Sequence, residues 1–176
     1  PRLFTFAPSK PGLELRFATT LRIPAFTRDE IDVAIRFGPN ENPDQFSEVI
    51  IHEWATPMLH PSLASSIKVP KDLLKLPFIH DDSLLFLKAN ADWSAWFTAM
   101  GLTDTVPNGP RFSQADHAVD LALSGGGVVL GRGSICERLV KEGQLIAPFP
   151  YTIHIPGQYR LACPSGLETS PAVQRL

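Results

Sequence analysis

Arg36 is the one charged side chain in the otherwise apolar stretch Val33, Ala34, Ile35, Phe37, immediately before Gly38 and Pro39. Its guanidinium presents a rigid fork of donors, suited either to pairing with an acid or to meeting an anionic ligand. His80, Asp81 and Asp82 follow an apolar stretch. They form either a polar cluster at the carboxyl end of a strand or a solvated turn. In LSGGGVVLGRGS, Gly126 and Gly131 stand at the spacing of a phosphate-binding loop. That reading fails: Arg132 replaces the lysine, Gly133 replaces the magnesium-binding hydroxyl residue, and a helix precedes the glycines where a strand is required. A glycine helix stop followed by a buried strand accounts for the same letters. The histidines, at 52, 60, 80, 117 and 154, include no pair at i+3 or i+4 that would make a metal-binding helix face. Ser134 has a loose likeness to a nucleophile elbow, but its place after a glycine turn makes it a helix N-cap, with Glu137 completing a capping box. No catalytic residue, metal or cofactor is therefore expected.

Composition bounds the rest. The 176 residues fit one ordinary domain or two small ones, and 44 % apolar with 19 % charged residues is the balance of a folded globular chain. A net charge of -2 argues against this segment gripping nucleic acid, which needs clustered Lys and Arg. Cys136 and Cys163 are too few for a disulfide framework and lack metal-ligand spacing, so they are read as buried thiols of a reduced, cytoplasmic protein. No apolar run reaches the roughly 18 residues of a membrane span, and PRLFTF reads as the interior of a domain.

The elements that would position these residues alternate. Leu13 to Thr19 has strand periodicity, as does Ile31 to Phe37, and Ser47 to His60 is β-rich. Short helices are predicted at PSLASS and from Pro70 to Leu76, and LPFIHDD returns to a strand. Trp93, Trp96, Phe97 and Met100 share one face of a helix ended by Gly101. After a strand ending at Phe112 and Ser113 come a helix over DHAVDLAL, a buried strand VVLGRG and a helix over SICERLVKEG. Two strands, YTIHI and YRLAC, flank Pro156 and Gly157, and SPAVQRL opens a C-terminal helix. Such alternation implies parallel strands joined by helical crossovers, with ligands where strand carboxyl ends meet helix amino ends.

The phrase DEIDVAIRFG, Asp29 to Gly38, resembles a signature of the LysR-type transcription regulators. The likeness covers nearly the whole chain. PRLFTFAPSKPGLELRFAT resembles the family's opening, WATPMLHPS its entry into a second subdomain, and DHAVDLALSGGGVVLGRGSICERLVKEGQLIAPF its helix–glycine–strand–helix stretch. DVAIRFG and the segment Asp92 to Phe97 are most similar to the branch that holds the glycine-cleavage and β-lactamase activators. The family's first strand and its N-terminal winged helix-turn-helix are expected to lie outside these residues.

The resemblance implies an α/β fold like the type-2 periplasmic binding proteins, two Rossmann-like subdomains joined by two crossing strands. Subdomain I would be residues 1–52 plus 155–176 and subdomain II residues 53–154. An effector cleft between them would collect Thr19, Thr20, Arg36, Phe37 and Gly38 from the first subdomain, together with Tyr159. From the second it would collect His80, Asp81, Ser113, Gln114, Ala115 and Arg132. Helix amides and hydroxyls there suit a small or peptide-like metabolite. The implied function is effector sensing: a population shift in the sensor that alters the spacing of distant DNA-reading heads. The implied partners are a small-molecule effector and a second copy, as a homodimer that becomes a tetramer in the full-length form. DNA is contacted only through the absent N-terminal domain, and no membrane is involved. The rival classes are a transport solute-binding protein of the same architecture, marked by an export signal, and an enzyme on a similar frame, for which no nearby acid–base pair is found.

Overall fold

A computed structural model describes residues 16–20, 25–39, 42, 44–88 and 91–175. By its internal contacts the chain divides into two compact units, Pro1–Ile50 with Tyr159–Leu176, and Ile51–Gln158. The expected strand from Leu13 to Thr19 falls partly outside the described residues, and residues 16–20 are exposed and irregular.

The first unit opens with a single helical turn, α1 (Phe26–Asp29), and the strand β1 (Ala34–Gly38). Two long strands, β2 (Gln45–Leu59) and β6 (Ile153–Pro164), run through both units, and in hydrogen-bonded order β6 lies between β1 and β2. The sequence predicts two strands around Pro156 and Gly157, but β6 is continuous there. A reverse turn of the common Pro-Gly type needs a positive φ at glycine, and Gly157 is not among the positive-φ residues. Pro57 likewise sits inside β2, opposite Leu130, without ending it.

The second unit carries β3 (Phe78–Asp81), α2 (Trp93–Ala99), β4 (Arg111–Phe112), α3 (Ala115–Leu123), β5 (Val128–Arg132) and α4 (Gly133–Lys141). The strand order is β2-β5-β3-β4. β5 pairs antiparallel with β2, from Ala55 opposite Arg132 to Leu59 opposite Val128, and parallel with β3, which is itself parallel to β4. The carboxyl ends of β3, β4 and β5 thus share one edge, in keeping with the alternation. The two short helices expected after β2 are 3-10 turns, Pro61–Ser66 and Pro70–Lys75, and the expected C-terminal helix is a 3-10 turn at Val173–Arg175.

Two clusters hold this unit. Ala118, Val119 and Ala122 of α3 and Cys136 and Leu139 of α4 pack with Met58, Ile79 and Val129 of the strands. The aromatic face of α2 meets Phe78, with Phe78 and Trp93 centroids 4.6 Å apart and Trp93 and Trp96 edge to face at 6.2 Å. The buried Trp93 indole keeps a polar partner, its Nε1–H donating to the Ile79 carbonyl at 2.9 Å, so burying it leaves no donor unsatisfied.

Candidate functional site

In the first unit the structure gathers part of the predicted set. Arg36 is half-buried, its Nη1 donates to Gln45 Oε1 at 3.1 Å, and its guanidinium carbon lies 4.9 Å from the centre of the Phe26 ring. Burial pulls its pKa down from the ordinary arginine value, so the position favours whatever restores charge compensation. The Phe37 ring tilts against Tyr159 at 4.9 Å, and Gly38 closes the strand with φ 141°. Alternation along β1 puts Arg36 and Phe37 on opposite faces. Thr19 and Thr20 lie exposed on the irregular segment 16–20.

In the second unit the carboxyl edge collects Asp81, Ser113, Gln114, Ala115 and Arg132. Asp81 pairs in register with Phe112, which is followed by Ser113 and by Gln114, the N-cap residue of α3. Ala115 is buried in the first turn. Arg132 ends β5, its Nε 3.8 Å from Asp81 Oδ2, with both side chains only 9 % exposed. His80 is drawn away from this group: its Nε2 donates to the Pro107 carbonyl at 3.0 Å and ties down the loop before β4. Asp82 is likewise engaged, in a bidentate pair with Arg111 at 2.6 and 2.9 Å.

Sequence reasoning missed Glu53, a carboxylate only 1 % exposed. Its Oε1 accepts the amides of Trp54 at 3.2 Å and Ser134 at 3.1 Å, and its Oε2 accepts the Ser134 hydroxyl. The expected Ser134–Glu137 capping box is therefore corrected. Arg132 is the N-cap residue of α4, Ser134 is inside the helix, and an acid from β2 satisfies its first-turn amide. The available signal was strand parity, since Glu53 shares its face with the buried Ala55, Pro57 and Leu59. Trp54 is held by the same junction: a Cβ on Gly133 would lie 2.3 Å from its Cε2, so only glycine lets the indole pack there. Glu53 and Trp54 also line an open depression of about 490 Å³ with His52, Thr152 and His154.

Residues 1–176 match the LysR substrate binding domain. The chain belongs to that family. This LysR substrate binding domain is 32 % identical to the HTH-type transcriptional activator AmpR of Rhodobacter capsulatus over 173 residues, 98 % of this chain and 57 % of that protein. It is 29 % identical to the glycine cleavage system transcriptional activator of Escherichia coli K12 over 167 residues, 93 % of this chain and 53 % of that one. The chain thus spans about half the length of the curated relatives it matches, and those relatives are transcriptional regulators, not enzymes. The AmpR effector binding domain of Citrobacter freundii superposes with a TM-score of 0.78 at 22 % identity, covering 99 % of this chain and 85 % of that one. The AmpR effector domain of Pseudomonas aeruginosa gives 0.77 at 23 %, covering 99 % and 83 %. These likenesses establish the type-2 periplasmic-binding-protein-like α/β fold.

The cysteines of this LysR substrate binding domain are both buried thiols. Burial pushes Cys136 up to about 12, with Glu53 adding to the rise and Arg132 opposing it. The native state therefore prefers the neutral thiol. That preference contributes in full below the unfolded thiol's pKa of roughly 8.5 and is lost as pH rises from there toward the folded value. Urea midpoints should fall between pH 7.5 and pH 10 in the parent and fall less in Cys136→Ala; equal losses would remove the thiol as the cause.

Proposed function

We propose that the chain is the sensing part of a LysR-type transcription regulator, which binds a small-molecule effector and thereby controls DNA binding by the rest of the protein. The observation that carries this reading is 32 % identity to a transcriptional activator along 98 % of the chain. Two residue sets are assigned to recognition, each within its own unit. In the first, Arg36, Phe37, Gly38 and Tyr159 combine a partly desolvated cation with a tilted aromatic pair, and Thr19 and Thr20 add exposed hydroxyls. In the second, Ser113, Gln114 and Ala115 open α3 beside the buried Asp81–Arg132 pair, where unfilled first-turn amides favour carboxylate or carbonyl groups. His80 serves this set by fixing the adjoining loop.

Binding needs no bond made or broken. An effector that prefers one conformation of the sensor shifts the population toward it, by no more than its differential affinity allows. The sensor acts in the cytoplasm as a homodimer, assembled to a tetramer in the full-length regulator. No described helix is long and apolar enough to cross a membrane.

A thermal-shift screen against amino acids, purines and peptidoglycan fragments tests this. A ligand at 100 times its Kd adds about 2.7 kcal/mol, a rise of roughly 5–10 °C for a chain of this size. Arg36→Ala reports on the first unit and Ser113→Ala on the second. If both variants keep the full shift, the residue assignment is wrong; if no metabolite shifts the parent, the sensing role is.

A further inference from the structure

Asn108 and Gly109 form the chain's single Asn-Gly step. Asparagine is chemically labile, most of all where the following residue has no side chain to shield its backbone nitrogen. The remaining asparagines lack that combination: Asn40 precedes Glu41, Asn90 precedes Ala91, and Asn42 precedes Pro43, which has no N–H. Asn108 is exposed on the loop before β4. Among the described residues neither its side-chain amide nor the Gly109 N–H makes a hydrogen bond, so both reacting groups are uncommitted. No larger residue fits at 109. A Cβ there would lie 1.8 Å from the Phe78 carbonyl oxygen and 2.9 Å from its carbon, backbone atoms that cannot turn aside. The close approach of β3 therefore demands the same glycine that leaves the nitrogen open to reaction.

His80 holds both ends of this dipeptide. Its Nε2 donates to the Pro107 carbonyl at 3.0 Å, and its backbone N–H donates to the Pro110 carbonyl at 2.9 Å. The backbone from Pro107 to Pro110 thus spans two fixed points on one residue. β4 has two residues, stands at the end of the strand order and meets β3 in register only at His80 opposite Arg111 and Asp81 opposite Phe112.

We propose that Asn108 and Gly109 form a self-modifying site, at which conversion of Asn108 to isoaspartate loosens the start of β4 from β3. The Gly109 nitrogen, its proton taken by hydroxide, attacks Asn108 Cγ. A C–N bond forms, the Cγ–Nδ2 bond breaks, and the leaving nitrogen takes a proton from water and departs as ammonia. Water then opens the resulting succinimide at either carbonyl, with no change of oxidation state. Opening at Cγ gives aspartate in an unaltered backbone. Opening at the main-chain carbonyl routes the chain through Cβ and Cγ, which adds one backbone atom between Pro107 and Pro110. With that atom inserted, both carbonyls cannot remain on His80 in their present geometry. The Asp82 contacts, its N–H to the Phe112 carbonyl and its carboxylate to Arg111, lie farther along and persist.

The intact ¹⁵N-labelled chain is aged at pH 8.5 and at pH 6, and its digests are followed by mass spectrometry with chromatographic separation of isoaspartyl from aspartyl peptides. Asn108 should convert at least tenfold faster than Asn40, Asn42 or Asn90, and severalfold faster at the higher pH, with isoaspartate among the products. Amide exchange at His80, whose N–H reports on the Pro110 contact, should quicken at least tenfold in the isoaspartyl form. Asn108→Ser should abolish the conversion. Asn108→Asp adds the charge without the length and should keep the parent's exchange rate. Conversion no faster than at the other asparagines would overturn the proposal, as would a rate that does not rise with pH or conversion to aspartate alone. So would parent-like His80 exchange in the isoaspartyl form, or equal acceleration in Asn108→Asp. Conversion rates and exchange in the parent decide even without the variants, and no effector enters the experiment, so this site and the effector assignment stand or fall separately.

Discussion

Gly127→Ala is expected to lower the melting temperature by about 10 °C, through a loss of roughly 3–5 kcal/mol. Two independent costs meet at this residue. Its φ of 148° lies where an L side chain is rarely found, at about 1–3 kcal/mol. A Cβ there would also lie 2.3 Å from the Pro77 carbonyl oxygen and 3.0 Å from its carbon. Those are backbone atoms and cannot rotate aside. That oxygen accepts the Val128 amide at 2.9 Å, the first contact of the β3–β5 ladder, so relief of the clash pulls apart the register that begins with Phe78 opposite Val128. Gly143→Ala is the control. Its φ is 71° and an added methyl would meet nothing within 4 Å, so it bears the conformational cost alone. Thermal denaturation of the two variants separates the effects, and equal losses would show that close approach contributes nothing at Gly127.

The same stretch shows where sequence reasoning succeeds and where it stops. The glycine run after α3 is legible as a helix stop, and Gly125 does leave the helix at φ 81°. That Gly127 is required by a carbonyl from Pro77 is not legible, because the two meet only once β3 and β5 are paired. Local periodicity likewise places α2, α3 and α4, whose apolar spacing and stops lie within one or two turns. The paired crossing of β2 and β6 is obscured at Pro156 and Gly157, where a strong turn dipeptide remains extended inside a long strand. At the candidate site, Asp81 and Arg132 can be singled out because each ends an apolar strand. Their mutual pairing at 3.8 Å cannot, since it depends on parallel neighbours far apart in the chain. His80 also ends an apolar strand, but the contact of its Nε2 with the Pro107 carbonyl depends on a residue far away in the chain and is not legible from the sequence.

Glu53→Ala should be about as damaging as Gly127→Ala, for electrostatic reasons in place of steric ones. The substitution strips the acceptor from the Trp54 and Ser134 amides and from the Ser134 hydroxyl; Glu53 itself is 1 % exposed, whereas Trp54 is half-buried and Ser134 is exposed. A buried donor left without a partner costs about 1–3 kcal/mol, a cost the exposed Ser134 hydroxyl escapes by turning to water, and the lost side chain leaves a void, so a total of roughly 3 kcal/mol is expected. The amino end of α4 also loses the negative charge that complements its dipole. Glu53→Gln separates these contributions. Its amide oxygen still accepts from both backbone amides, and its nitrogen can donate to the Ser134 oxygen after the hydroxyl rotates, so most of the stability should return while the charge does not. Urea unfolding of the three proteins reads the difference directly: a Gln variant as unstable as the Ala variant would mean that charge, not hydrogen bonding, holds β2 to α4. A Gln variant near the parent means that hydrogen bonding, not the carboxylate's charge, holds β2 to α4.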